Sequence, residues 1–176
     1  MPDRGEWETF VERGYMKRPI RIVHALPSVL LLAVLAGACG DLGPVDERFD
    51  ELDRQEAKWQ AARPAQYRFG LARICFCAPE SLGPVRITVS GEDVTERRYI
   101  ASGDPVPESL EAFFPSIDGL FDLLRDAIER DAHRIDVTYD PVSGVPIDLY
   151  IDYEVNVADE EVGYEVVESV APPPAR

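Results

Sequence analysis

Apolar residues recur along this chain with two different periods. Val45, Phe49, Leu52 and Trp59 return at helical spacing, with Asp46, Glu47, Glu51, Arg54 and Lys58 on the other faces, and Pro64 marks the stop. From Gln66 to Cys77 the spacing becomes that of a strand. Tyr67, Phe69 and Leu71 share one face and Ile74 and Phe76 the other, and apolar groups on both faces predict a central strand. Val85–Ser90 alternates, Gly91-Glu92-Asp93 turns the chain, and Val94–Ile100 completes a hairpin. Ala101–Pro115, with its Gly, Ser and Pro residues, reads as a loop.

The second half repeats the change of period. Ser116 can cap a helix whose buried stripe is Ile117, Leu120, Phe121, Leu124 and Ile128, with Asp118 well placed against the dipole. Arg134–Tyr139 alternates as a strand, and Asp140–Gly144 turns the chain. Val145, Ile147, Leu149, Ile151 and Tyr153 then point one way, with Asp148, Tyr150, Asp152 and Glu154 opposite. After a turn at Ala158–Glu161, Gly163–Val170 pairs back. The predicted order is α-β-β-β-α-β-β-β with hairpin-length connections. The fold class that buries these faces most simply is α+β, an antiparallel sheet of about five or six strands with helices on one face. Trp59, Phe121 and Leu124 are expected in its core. The two αβββ segments permit a duplicated ancestor, although no internal repeat is strong enough to claim.

Ahead of this domain lies a different pattern. Ala25–Gly40 is an uncharged apolar run of 16 residues, shorter than the roughly 20 a spanning helix needs. With Lys17, Arg18 and Arg21 before it, the run reads as a signal-peptide core behind its positive region. Asp3, Glu6, Glu8 and Glu12 make residues 1–15 a net negative lead-in, which places the natural start at Met16 and marks 1–15 as an over-extended start. Leu35-Ala36-Gly37-Ala38-Cys39 resembles the lipobox of bacterial lipoproteins, with Ala36 standing where Leu is usual. That resemblance implies lipidation of Cys39, cleavage on its amino side, and a membrane anchor through the attached acyl chains. The expected organisation is a signal peptide at 16–38, anchor and tether at 39–44, one globular domain at 45–170 and a flexible tail at 171–176. Gly40 carries no signal for inner-membrane retention. The expected location is therefore the outer membrane facing the periplasm in a host with two membranes, and otherwise the outer face of the cytoplasmic membrane.

Charge narrows the partners. Loss of residues 1–38 removes five of the 18 basic and four of the 33 acidic residues, leaving 13 against 29, a net charge of −16. Such a surface repels nucleic acid and anionic lipid, and neither is an expected partner.

Cys75-Phe76-Cys77 is the one constellation that invites chemistry. With Cys39 taken by lipid, Cys75 and Cys77 are the remaining thiols in an oxidising compartment. In a regular strand their α-carbons would stand about 6.5–7 Å apart, so a disulfide between them needs a kink, which Ala78-Pro79 makes feasible. A disulfide clip, two buried free thiols, and redox or metal chemistry all fit the pair. A disulfide formed after export is the expectation. His133, the one histidine beyond Cys39, suits the negative end of the second helix better than a metal site. Asp148, Asp152, Glu154, Asp159, Glu160 and Glu161 could draw calcium, but they lack the alternate spacing and central glycine of a calcium loop. No catalytic set, metal site or cofactor site is therefore assigned, and the domain is not expected to be an enzyme.

Several fragments, taken in order, resemble a family of small exported bacterial proteins known only as a domain of unknown function, DUF6174. They are Trp59 with Tyr67 and Phe69, Cys75-Phe76-Cys77, the hairpin at Gly91, and Ile117-Asp118-Gly119-Leu120-Phe121. Tyr139-Asp140, Gly144-Val145-Pro146, Asp152 and the acidic turn at Asp159-Glu160 follow. Family members usually carry an aromatic residue where this chain has Val145. The resemblance spans Trp59 to Val170 and implies a fold and an envelope setting, with no activity to lend. The expected function is a membrane-anchored envelope lipoprotein, a non-enzymatic binding or assembly module for another envelope protein or a cell-wall component. The alternative is a thiol-disulfide or metal-handling protein using Cys75 and Cys77.

Overall fold

Alternation in six short segments and helical spacing in two produce one antiparallel sheet backed by two helices. The computed structural model describes residues 44–157 and 160–173. The lead-in 1–15, the signal segment 16–38, Cys39 and the tether through Gly43 lie outside the described residues, as do Asp159 and the last three residues of the tail.

Helix α1 spans Pro44–Ala62, opening on a proline whose missing N–H costs nothing in a first turn. It buries Leu52 and Trp59 and packs Phe49 against the core. Strand β1 (Gln66–Ile74) follows, then a 3₁₀ turn at Pro79–Ser81, and the hairpin β2 (Val85–Ser90) and β3 (Asp93–Tyr99). The predicted loop at 101–115 contains a 3₁₀ helix, Glu108–Phe113. Helix α2 (Ile117–Glu129) is capped by Ser116, whose hydroxyl accepts from the Gly119 amide at 3.1 Å. Ile117, Leu120, Phe121, Leu124 and Ile128 are all buried, as the stripe requires. No glycine ends this helix. Asp131 adopts the left-handed conformation (φ 52°) and the Ala132 amide closes on the Ala127 carbonyl at 2.9 Å. Strands β4 (Arg134–Tyr139), β5 (Pro146–Asp152) and β6 (Val162–Ala171) complete the chain. The last takes Ala171 out of the expected tail by pairing it with Arg68.

The strand order is β3-β2-β1-β6-β5-β4, every pair antiparallel. Two meanders thus meet where the last strand lies beside the first. The strand after α1 is central and the strand after α2 is an edge, so the two αβββ segments do not occupy equivalent places. That removes the structural case for a duplicated ancestor.

Tyr67, Phe69, Leu71, Val85, Ile87 and Val89 form one fully buried face of β1 and β2. Leu149, Ile151 and Tyr164 continue it on the other meander, and the helices close over it. Trp59 meets Tyr67 edge-on, with ring centroids 5.2 Å apart. Trp59, Phe121 and Leu124 are core residues, as expected. Strand β1 is central, but not because Ile74 and Phe76 fill a second apolar face. The strand ends at Ile74, and both side chains are exposed. The alternates of the core residues are Arg68, Arg86, Thr88, Asp136, Asp148 and Tyr150, and on this outer face they are half-buried or exposed among the described residues.

Candidate functional site

Cys75 and Cys77 lie just past the end of β1 and are joined by a disulfide with α-carbons 5.4 Å apart. The chain has left the extended conformation to achieve this, which is why the strand stops three residues short of Cys77. The Arg73 guanidinium donates to Cys77 Sγ at 3.4 Å and also lies 4.3 Å from the Phe113 ring centroid. Phe113 in turn accepts the Tyr164 hydroxyl on its carbonyl at 3.1 Å. The clip is therefore tied to the body of the fold through Arg73, while Phe76 projects away from it.

His133 does not sit in the last turn of α2. It follows the left-handed Asp131 and Ala132, is exposed, and donates its amide to the Tyr153 carbonyl at 3.3 Å. Among the described residues, no His, Cys, Asp and Glu side chains group in a way that could hold a metal ion. The acids of the last hairpin are spread along it instead, with Asp148 paired opposite Glu165 and Asp152 opposite Arg134.

A second cluster ties the helices together. Asp118, in the first turn of α2, accepts Trp59 Nε1 at 2.9 Å and Gln60 Nε2 at 2.8 Å on one oxygen, and Arg63 Nη1 at 2.8 Å on the other. One carboxylate at the start of α2 thus answers two donors from the last turn of α1 and a third, Arg63, from just past its end. Tyr67 lies beside this cluster, and burial, with the Asp118 charge, raises its phenol well above the ordinary tyrosine range. The cluster has the character of a clamp: every atom of the carboxylate is already engaged.

A hollow of about 490 Å³ opens beside it, lined by Trp59, Pro64, Asp140, Ser143, Ile147 and Val170 among others. Its one carboxylate is also committed. Asp140 accepts the Val142 and Ser143 amides and the Ser143 hydroxyl, and those hydrogen bonds hold its pKa below the usual carboxylate range. Asp140 shapes the β4–β5 turn.

The uncovered face of the sheet is different. Gly70 on β1 has no side chain, and a Cβ there would stand 2.9 Å from both Cβ and Cγ of Glu168. Glu168 on β6 crosses β1 through that gap and takes both Nε and Nη2 of Arg86 on β2, the former at 2.8 Å. Next to this pair, Arg68, Thr88, Glu96, Arg98 and Tyr99 line a hollow of about 180 Å³. Arg98 is bound to Glu96 at 2.7 Å and to the Gly103 carbonyl at 2.9 Å. The ion pairs of this face engage Arg86 and Arg98 and leave Arg68 unmatched among the described residues. The same face turns acidic across β6, β5 and β4, where Glu165, Asp148, Asp152 and Asp136 stand with Arg134. Sequence reasoning missed Gly70 and these arginines because it followed the apolar positions. Their signal was present as the alternates of Phe69, Leu71, Ile87 and Val89.

Among the described residues the architecture is a two-layer α+β sandwich with one sheet face left uncovered. The chain belongs to the Family of unknown function (DUF6174), whose model matches residues 51–171. No curated protein and no solved structure matches it.

Proposed function

We propose that this chain is a lipoprotein of the bacterial cell envelope, anchored through acyl chains on Cys39. Its domain is a non-enzymatic binding or assembly module. The uncovered sheet face receives an envelope protein or a cell-wall component, and the observation that carries this is the arginine-lined hollow at Arg68, Arg86 and Arg98. In a domain of net charge −16 a local excess of cation is a preference for an anionic group, since carboxylates and phosphates match the planar guanidinium. The signal pattern ending at Cys39 supports the location, an outer membrane where the host has two and otherwise the outer face of the cytoplasmic membrane.

The test has two arms. Cys39→Ser should release the protein from membranes or leave an uncleaved precursor, and unchanged processing and attachment would refute the anchor. A photo-crosslinking residue at Thr88 should give a discrete adduct in cells, and Arg68→Glu should abolish it. An adduct indifferent to that charge reversal, or none at all, would refute the binding face.

A second reading, thiol-disulfide exchange at Cys75 and Cys77, draws on the guanidinium of Arg73 beside Cys77 Sγ. A nearby cation favours the thiolate. A reduction potential between about −120 and −180 mV would support exchange, whereas one below about −300 mV would mark a structural clip.

A further inference from the structure

The two ends of the sheet carry different surfaces. Strands β1 and β5 are both antiparallel to β6, so they run the same way and finish at the same end. That end holds Ile74, the Cys75–Cys77 clip and the turn between β5 and β6. It exposes Phe76 (91%), Val155 (62%), Ile74 (53%) and Val157 (45%), four of the six large exposed apolar side chains among the described residues. Ile74 lies against Gly163 at the start of β6, which places it beside the turn that bears the two valines.

Helix α1 enters the fold from this same end. Arg48, in its first turns, bonds Asp131 at 3.3 Å and shares a surface hollow with His133, Tyr153, Glu154 and Val155. The other end of α1 meets the β4–β5 turn, where Gln55 and Lys58 crowd Gly144. Pro44 is five residues from Cys39. Even fully extended, that tether reaches at most about 18 Å. An anchor on so short a leash brings the Phe76 end, rather than the opposite end, to the lipid.

We infer that this end is a membrane-contacting tip, with Phe76 seated in the interface of the bilayer that holds the Cys39 acyl chains. The inference rests on the lipid-anchor reading above. Closing a disulfide across one residue turns the chain at Phe76, whose ring stands exposed, so the backbone beneath it is already fixed before it inserts. Acids predominate at the same end, where Glu80, Asp131, Asp152, Glu154, Glu160 and Glu161 stand with Arg48, Arg73, Arg130 and Arg134. With acids in excess there, the contact depends on apolar burial and the covalent anchor, and salt should ease it by screening repulsion from anionic lipid.

The test uses the lipidated protein processed at Cys39, its acylation verified by mass, in phosphatidylethanolamine–phosphatidylglycerol vesicles containing brominated acyl chains. Phe76→Trp adds an indole at the tip, and Val142→Trp adds one at the exposed β4–β5 turn of the opposite end. Native Trp59 is buried and supplies the same background to both. The indole at position 76 should shift to the blue and lose most of its emission to bromine, while that at position 142 stays solvent-like and unquenched. Membrane-bound, acylated protein with both indoles equally unquenched would overturn the tip and leave the anchor standing. A mass without acyl groups would overturn the anchor and the tip with it.

Discussion

The two faces of the sheet are built from alternate residues of the same strands, yet they do unlike work. On the covered face Tyr67, Phe69, Leu71, Val85, Ile87 and Val89 lose all contact with water. One position away, Arg68, Arg86 and Thr88 remain half-exposed, and with the buried Gly70 they adjoin Glu168 and Glu96 across strand boundaries. The backbone hydrogen bonds are common to both faces, so the difference lies in the side chains alone. Apolar burial gives the covered face its share of stability, and half-exposed ion pairs add little to the open one. A surface that contributes little to stability can vary its charge without loss of fold, which is what a recognition surface requires.

The sharpest way to break this comparison is one substitution on each face. Phe69→Ala should cost about 3–5 kcal/mol by denaturant titration, and Thr88→Ala on the neighbouring strand no more than about 0.5 kcal/mol. Similar shifts in the two midpoints would mean that the open face is not independent of the core.

Removing the clamp between the helices should be felt less. Asp118→Ala strands the buried Trp59 N–H and unpairs Arg63, a loss of about 2 kcal/mol. Asp118→Asn keeps an acceptor for Trp59 and should recover about half of that. Equal destabilisation by both variants would assign the clamp to charge rather than to the hydrogen bond.

The smallest effect belongs to the open face itself. A double-mutant cycle on Arg86 and Glu168 should return a coupling of at most about 1 kcal/mol, since both side chains keep more than a third of their exposure. Hydrogen bonding to Arg86 lowers the Glu168 pKa in the fold. The pair's contribution is therefore present above the unfolded glutamate pKa and lost as pH falls through the folded one. Arg86→Ala should move the Glu168 titration upward in an NMR pH series, and an unmoved titration would show that the pair does not form in solution.

Much of the architecture was legible in the chain. Period and turn chemistry are local, so the helices at Trp59 and Phe121, the hairpin at Gly91 and the strand from Pro146 could be located from their own residues. The Ser116 cap and the α2 stripe were equally plain, because a helix's signals lie within a few residues of each other. The end of β1 was misplaced because apolar spacing through Phe76 continues past the point where the disulfide bends the chain.

What the amino-acid pattern determined by itself was which segments are helices and strands, and which side of each turns inward. Only the tertiary structure decided that the two meanders meet at β1 and β6. The order β3-β2-β1-β6-β5-β4 brings the last strand beside the first, and the separation of 82 residues between Arg86 and Glu168 puts that meeting beyond any local pattern. Gly70 shows the reason most directly. In the chain it is a weak point in a strand, but in the sheet it is the gap through which Glu168 reaches Arg86. Periodicity records how a segment meets water, whereas cross-strand register depends on where distant segments come to lie against one another.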